Sequence, residues 1–286
     1  MAIEVIHTIA ELRARLASER ARLASKKDVG LVPTMGALHQ GHGSLIDRAA
    51  AENACTVVSI FVNPIQFNDP ADYQRYPRTL ATDADFCERH GARIIFAPST
   101  EEMYPEPPKT FVEVEGVGEH LCGKFRPGHF RGVATVVMKL FQIVQPERAY
   151  FGEKDAQQLA VIERMVFDLS VPVKVIPVAT VREADGLAMS SRNQHLTGEQ
   201  RAVAPLLYRA LQEARRSIQA GERDRDRVKE SALAILSESA IRVEYLEIVD
   251  ASTMQPVERI AGRLRIAMAA WVGSTRLIDN VFVAVG

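Results

Sequence analysis

The apolar positions of the chain fall into blocks that switch between helical and strand spacing. Residues 9–24 carry Leu12, Leu16 and Leu23 among Arg and Glu, the pattern of a surface amphipathic helix. Residues 28–32 (Asp28-Val29-Gly30-Leu31-Val32) form a short apolar run halted by Pro33, and predict a buried strand. Residues 44–53 read as a helix. CTVVSIFV at 55–62 is a β-branched strand. A loop with Pro64, Asn68, Asp69 and Pro70 follows, then a helical stretch at 83–90 and a strand at 93–97 ended by Pro98. The alternation continues with a helix at 133–144, a strand at 148–151, a helix at 156–169 and a strand at 173–177.

Strands alternating with helices predict a parallel sheet with right-handed crossovers. Runs such as VVSIFV show no in-and-out alternation, as expected of strands covered on both faces. Near residue 180 the texture changes. A polar loop at 182–196 leads to helices at 197–220 and 225–239, then to strands at 243–249, 264–272 and 277–285. The expectation is an α/β protein: a Rossmann-like parallel-sheet domain over 1–180 and a smaller α+β domain over 181–286.

Composition narrows the class. In 286 residues, 47% are hydrophobic and 25% charged, enough apolar material for a core without staples. A net charge of -1 gives no broad basic footprint, so neither nucleic acid nor an anionic membrane is an expected partner. Cys55, Cys87 and Cys122 are odd in number and widely spaced, which argues against a disulfide framework and for a reducing, cytoplasmic setting. The Met1-Ala2-Ile3-Glu4 start carries no basic, then apolar, leader pattern.

The first chemically pointed stretch is 33–42. A strand ends, a glycine-containing turn follows, and a helix begins soon after. Such a junction presents unpaired backbone N–H groups and the positive end of a helix dipole, an anion site in the making. His39 and His42 are three residues apart, so on a helical turn they share a face and offer two imidazole donors to a phosphoryl oxygen. A metal half-site is the rival, but His120, Cys122 and His129 stand in no metal spacing. The G-x-x-x-x-G-K-[ST] pattern of a P-loop is absent from the sequence.

The second stretch is Met189-Ser190-Ser191-Arg192-Asn193, two hydroxyls and a guanidinium on a polar loop after Asp185-Gly186. Arg192 offers bidentate donors to phosphate. Alone the loop says little. Together the two stretches resemble the HIGH and KMSKS signatures of the nucleotidyltransferase superfamily. The resemblance sharpens over VPTMGALHQGH (32–42), VSIFVNPIQF (58–67), YPRT (76–79), RPGHFRGV (126–133), FGEKDAQQL (151–159), READGLAMSSRN (182–193) and RLIDN (276–280), which in this order are similar to the pantothenate synthetases. Gly43 departs from that family, which carries a larger apolar residue there. Glycine at that place predicts a helix start weaker by roughly 0.5–1 kcal/mol than alanine would give.

The resemblance implies an enzyme that condenses pantoate with β-alanine, using ATP and Mg2+, through pantoyl adenylate. It implies an ATP site along Met35, Gly36, Ala37, Leu38, His39, Gln40, Gly41 and His42, with His42 as proton donor and His39 supporting the triphosphate. Gly152, Glu153, Lys154 and Asp155 are implied at the ribose and phosphates, with Lys154 catalytic alongside the histidines. Val181 is implied at adenine, and Met189, Ser190, Ser191 and Arg192 at the outer phosphates. Gln66 and Gln158, assisted by Asn63, are implied at pantoate. Arg126 and His129 form a basic patch with no assigned role. The Mg2+ ligands stay open, with Asp83 and Asp85 in view. A homodimer is the expected assembly. Two rivals remain: another H-x-G-H nucleotidyltransferase, and a silent nucleotide-binding protein on the same fold.

Overall fold

Strand β2 (Val29–Thr34) is the pivot of a six-stranded parallel sheet ordered β1-β4-β3-β2-β5-β6. On one side of it lie β3 (Cys55–Ile60), β4 (Ile94–Phe96) and β1 (Glu4–Ile6); on the other lie β5 (Arg148–Gly152) and β6 (Lys174–Val178). The computed structural model describes residues 3–22, 29–237 and 239–285; Leu23, Ala24 and Asp28 of the expected first helix and strand, and position 238 of the expected helix 225–239, lie outside them. The helices are α1 (Ile9–Arg22), α2 (Gln40–Glu52), α3 (Pro70–Arg75), α4 (Leu80–Arg89), α5 (Thr100–Met103), α6 (Cys122–Phe125), α7 (His129–Val144), α8 (Ala156–Asp168), α9 (Gly198–Val203), α10 (Leu206–Gln219) and α11 (Arg225–Ala234).

The strand order changes direction at β2, so the loops after β2 and β5 border the switch point where open α/β sheets bind ligands. The β-branched runs behave as expected of doubly covered strands: five of the six β3 residues are buried. Val32, Val58, Ile95 and Tyr150 pack with Ile46, Ala49 and Cys87 in one core cluster. Pro33 does not stop β2, which runs on to Thr34. Pairing with β5 is confined to Gly30 and Leu31, so Pro33 has a partner strand on only one side and its missing N–H is tolerated.

The chain divides into two compact units, one of Met1–Val114, Arg126–Glu153 and Val161–Ala179, the other of Glu115–Phe125, Lys154–Ala160 and Thr180–Gly286. In the second, β7 (Ile241–Asp250), β8 (Gly262–Val272) and β9 (Thr275–Val285) form an antiparallel sheet. Its period is two: Leu264, Ile266, Met268, Ala270 and Val272 of β8 join the same buried cluster as Leu207, Leu211 and Ile218 of α10. The expected helix 197–220 is broken into α9 and α10, because Pro205 cannot donate within a continuous helix.

Glu244 ties the three strands of this sheet together, accepting from Arg276 Nη2 at 2.6 Å, Arg276 Nε at 2.9 Å and Trp271 Nε1 at 3.0 Å. Burial pushes its carboxyl up, but hydrogen bonds from Arg276 and Trp271 and the charges of Arg276 and Arg242 outweigh that and leave it below the ordinary 4.5. A depressed folded value means stability that is full above the unfolded pKa and lost as pH falls through the folded one. Glu244→Gln is therefore expected to show a shallower loss of denaturation midpoint than the wild type between about pH 5 and pH 3. Parallel curves would remove this carboxylate from the acid response.

Candidate functional site

The loop after β2 is built by hydrogen bonds that begin inside the sheet. Thr34 Oγ1 donates to the Ser59 carbonyl at 2.8 Å and accepts from Gly36 N at 3.2 Å. Gly36 and Ala37 then both adopt positive φ, 83° and 50°. At Gly36 a side chain would also meet the Asp83 carboxylate and Ile60 at 3.0 Å, so glycine is required twice over. Asp83 of α4 holds the turn: Oδ2 accepts from Ala37 N at 3.0 Å and Oδ1 from Leu38 N at 2.8 Å, with Thr79 Oγ1 donating to Oδ2 at 3.0 Å. Both Asp83 oxygens are thus engaged by the loop.

α2 starts at Gln40, four residues before the expected helix. The cause is His39, which sits in extended backbone as N-cap. Its Nδ1 accepts from Gly41 N at 3.1 Å, and His42 Nδ1 accepts from His39 N at 3.3 Å. This is a capping box in which two imidazoles replace the usual Ser/Thr and Glu/Gln. The rings lie 4.1 Å apart, tilted by 40°. Because each Nδ1 is an acceptor, the neutral tautomer with the proton on Nε2 is the form that fits at both positions. Ser44 Oγ donates back to Gly41 O at 2.8 Å within the first turn.

In the same unit, Met35 Sδ lies 3.0 Å from Gln66 Nε2, and Asn63 Nδ2 donates to Gln66 Oε1 at 3.0 Å and Gly132 O at 3.2 Å. Tyr104 donates to Asn63 Oδ1 at 3.0 Å, and burial pushes the Tyr104 phenol up to about 12. His129 Nδ1 contacts the Gln66 carbonyl at 2.8 Å. Asn63 is buried and its amide is engaged in orienting Gln66. Gly132 of α7 permits this closeness: a Cβ there would fall 2.4 Å from Ile65 O and 2.7 Å from Gln66 Cα. Gly132→Ala is expected to cost about 1–3 kcal/mol by overpacking against backbone. Thermal melting checks it, and an unchanged Tm would mean the turn yields freely.

The other sequence-predicted residues fall at the end of β5 and in the second unit. Gly152 ends β5, and Glu153, Lys154 and Asp155 form a single helical turn leading into α8. Gln158 is half-buried on α8, while its neighbour Gln157 is buried and pins the 115–125 segment through Cys122 N, Val117 O and His120 O. Val181 and Met189 are joined by a bond from Met189 N to Val181 O at 3.0 Å. Ser190 caps the turn Ser191–His195, its Oγ accepting from Arg192 N at 3.2 Å.

Residues to which the sequence argument assigns no individual role hold these pieces. Arg182 is gripped by Asp279 at 2.6 and 3.0 Å and stacks 3.7 Å above the Tyr208 ring. Asn280 Nδ2 donates to the Lys154 carbonyl at 2.9 Å, and Arg265 donates to Asn280 Oδ1 at 2.7 Å. Asp279 and Asn280 are 5% exposed although both are polar, so RLIDN is a clamp between the Lys154 turn and the Arg182 loop. A charged block inside an otherwise apolar strand was the available signal.

A family model described as pantoate-beta-alanine ligase matches residues 4–282. The chain belongs to the pantoate–β-alanine ligase family. A pantothenate synthetase of Moorella thermoacetica is 52% identical over 99% of both chains, and one of Acetivibrio thermocellus 50% identical over 99% of this chain and all of its own. The crystal structure of a Thermus thermophilus pantothenate synthetase superposes with TM-score 0.91 at 47% identity, covering 98% of this chain and 99% of that one. A Francisella tularensis pantoate-beta-alanine ligase complexed with β,γ ATP and β-alanine gives TM-score 0.80 at 36% identity over 98% and 97%. The chain is therefore an enzyme, a ligase, and the α/β fold expected from its sequence is the one these relatives have.

Proposed function

We propose that the chain joins pantoate to β-alanine by AMP-forming chemistry, with the histidine-capped start of α2 as the phosphate site. A pantoate carboxylate oxygen attacks the α-phosphorus of ATP, and the bond to pyrophosphate breaks. The β-alanine amine then attacks the acyl carbon, loses a proton, and AMP departs. The observation that carries this reading is the reciprocal cap: fixing Nδ1 of His39 and His42 as acceptors makes Nε2–H the donor of each ring, next to a helix N-terminus. Charge that builds on phosphoryl oxygens is what such donors stabilise.

In this reading His42 acts as a fixed neutral donor rather than as an acid. An imidazolium would turn Nδ1 into a second donor facing the His39 N–H, and the cap would break. Lys154 and Arg192 supply positive charge to the phosphates, with Ser190 and Ser191 hydroxyls beside Arg192. Gly152, Glu153 and Asp155 serve the ribose side, and the Val181 backbone serves adenine. Gln66, oriented by Asn63 and Met35, binds pantoate, with Gln158 as its companion. Magnesium enters as the partner of the triphosphate, since this ion keeps phosphate oxygens and water rather than a protein cage. No helix among the described residues is long and apolar enough to cross a membrane. A cytoplasmic homodimer completes the reading, and light scattering at micromolar concentration tests the dimer.

The direct test mixes purified protein with ATP, Mg2+, pantoate and β-alanine and measures AMP. AMP is expected only when both organic substrates are present. A folded preparation that forms none overturns the reading.

A further inference from the structure

The glycine at position 43 has a structural counterpart 47 residues later, at His90. Gly43 is buried at the end of the first turn of α2, and a Cβ built on it would lie 2.6 Å from His90 Cε1, 2.8 Å from His90 Nε2 and 3.1 Å from Phe86 Cζ. The imidazole of His90 therefore occupies the space that a side chain at 43 would take. Its Nδ1 is 2.7 Å from Asp47 Oδ1, and Asp47 is one turn beyond Gly43 on the same helix. Its ring also packs on Phe86, with centroids 4.4 Å apart. So the ring lies along α2, seated at one end by the missing Cβ and tethered at the other by a carboxylate.

His90 caps the C-terminus of α4, the helix whose Asp83 holds Ala37 N and Leu38 N. α4 thus grips the loop and helix at two places, seven residues or roughly 10 Å apart along its axis. Leu45, Ile46 and Ala49 seat the body of α2 on the sheet. The contact at His90 adds a grip from α4 on the first turn, beside the capping histidines. Gly43 N donates to the His39 carbonyl at 3.0 Å, so the backbone seated under His90 is bonded directly to the residue that caps the helix.

We propose that His90 is a positioning residue: seated in the notch at Gly43 and tethered by Asp47, it fixes the register of α2 against α4 and so aims the His39 and His42 imidazoles. It fills the volume that a side chain at 43 would take, and adds a directional bond that an aliphatic side chain there would lack. The proposal rests on the phosphate role given above to the two histidines. A shift of an ångström in catalytic groups slows chemistry steeply, so the effect belongs in kcat for adenylation more than in KM.

The test measures kcat and KM for ATP at a temperature well below the melting transition of every variant. His90→Ala is expected to lower kcat about tenfold with KM for ATP nearly unchanged. Gly43→Leu, which forces the ring out, is expected to lower it likewise. The double variant Gly43→Leu/His90→Ala, which puts an aliphatic side chain in the vacated notch, is expected to recover kcat to within about threefold of the wild type. Asp47→Ala removes only the exposed tether, keeps the fold, and is expected to lower kcat about threefold. Wild-type kcat in the single variants, or a double variant no better than either single, overturns the proposal. Loss of both single variants to misfolding leaves Asp47→Ala to decide, and wild-type kcat there overturns it too. An inactive wild type would instead overturn the parent reading, so the two failures are distinct.

Discussion

His42→Asn is expected to keep its fold and lose most of its activity. The asparagine carbonyl oxygen stands near the place of imidazole Nδ1, so the bond from His39 N that closes the capping box survives. The Nε2–H donor does not. Loss of one pre-aimed donor to developing negative charge costs about 10²–10³ in rate. The measurement is single-turnover pyrophosphate release with ATP and pantoate, alongside a melting curve. Tm is expected within about 2 °C of the wild type, since little of the stabilising contact changes. His42→Ala removes both functions, and so should lose a further ~1 kcal/mol of stability with the cap. Lys154→Ala is expected in the same range of rate loss as His42→Asn, because it also deletes a charge-assisted donor to phosphate. A His42→Asn enzyme at near-wild-type speed would remove His42 from the chemistry and leave it as a cap alone.

The same histidines show what is legible in the sequence and what is not. Apolar runs reveal the strands from β2 to β5, because burial on both faces leaves an unbroken hydrophobic stretch, while β6 to β9 are apolar enough to be read as strands without being buried throughout. β1 escapes such a reading: Glu4–Ile6 is three residues long and exists by pairing with β4, a contact 90 residues away. The start of α2 lies four residues ahead of its expected place because histidine is not a usual cap; the cap works here only as a reciprocal pair. The motif residues themselves are found by spacing and likeness. Their supports are not. Asp83, Asp279 and Asn280 act through long-range bonds to backbone or to a half-buried arginine, and nothing in their neighbours' spacing announces that. Gln157 and Gln158 are adjacent and chemically identical, yet only the three-dimensional contacts show that Gln157 is a structural clip.

Asp83 carries the other large effect. The turn it holds contains two successive left-handed residues, one of them Ala37, whose positive φ of 50° is unfavourable for a residue with a side chain. That conformation persists because the carboxylate accepts the Ala37 and Leu38 N–H groups together. Asp83→Ala leaves both part-buried donors without their acceptor, at about 1–3 kcal/mol each, reduced where water can reach them. The expected destabilisation is about 2–4 kcal/mol, read from denaturant midpoints. Activity should fall further than the folded fraction explains, because a relaxed turn lets His39 leave extended backbone and the cap with it. Asp83→Asn separates the two terms. Its amide retains one acceptor but sets an N–H against an N–H, so one bond is kept and one opposed. It should lie between the wild type and Asp83→Ala in stability while sharing most of the activity loss. An Asp83→Ala protein that unfolds at the wild-type midpoint would show that the turn holds itself, and that α4 is not what fixes the start of α2.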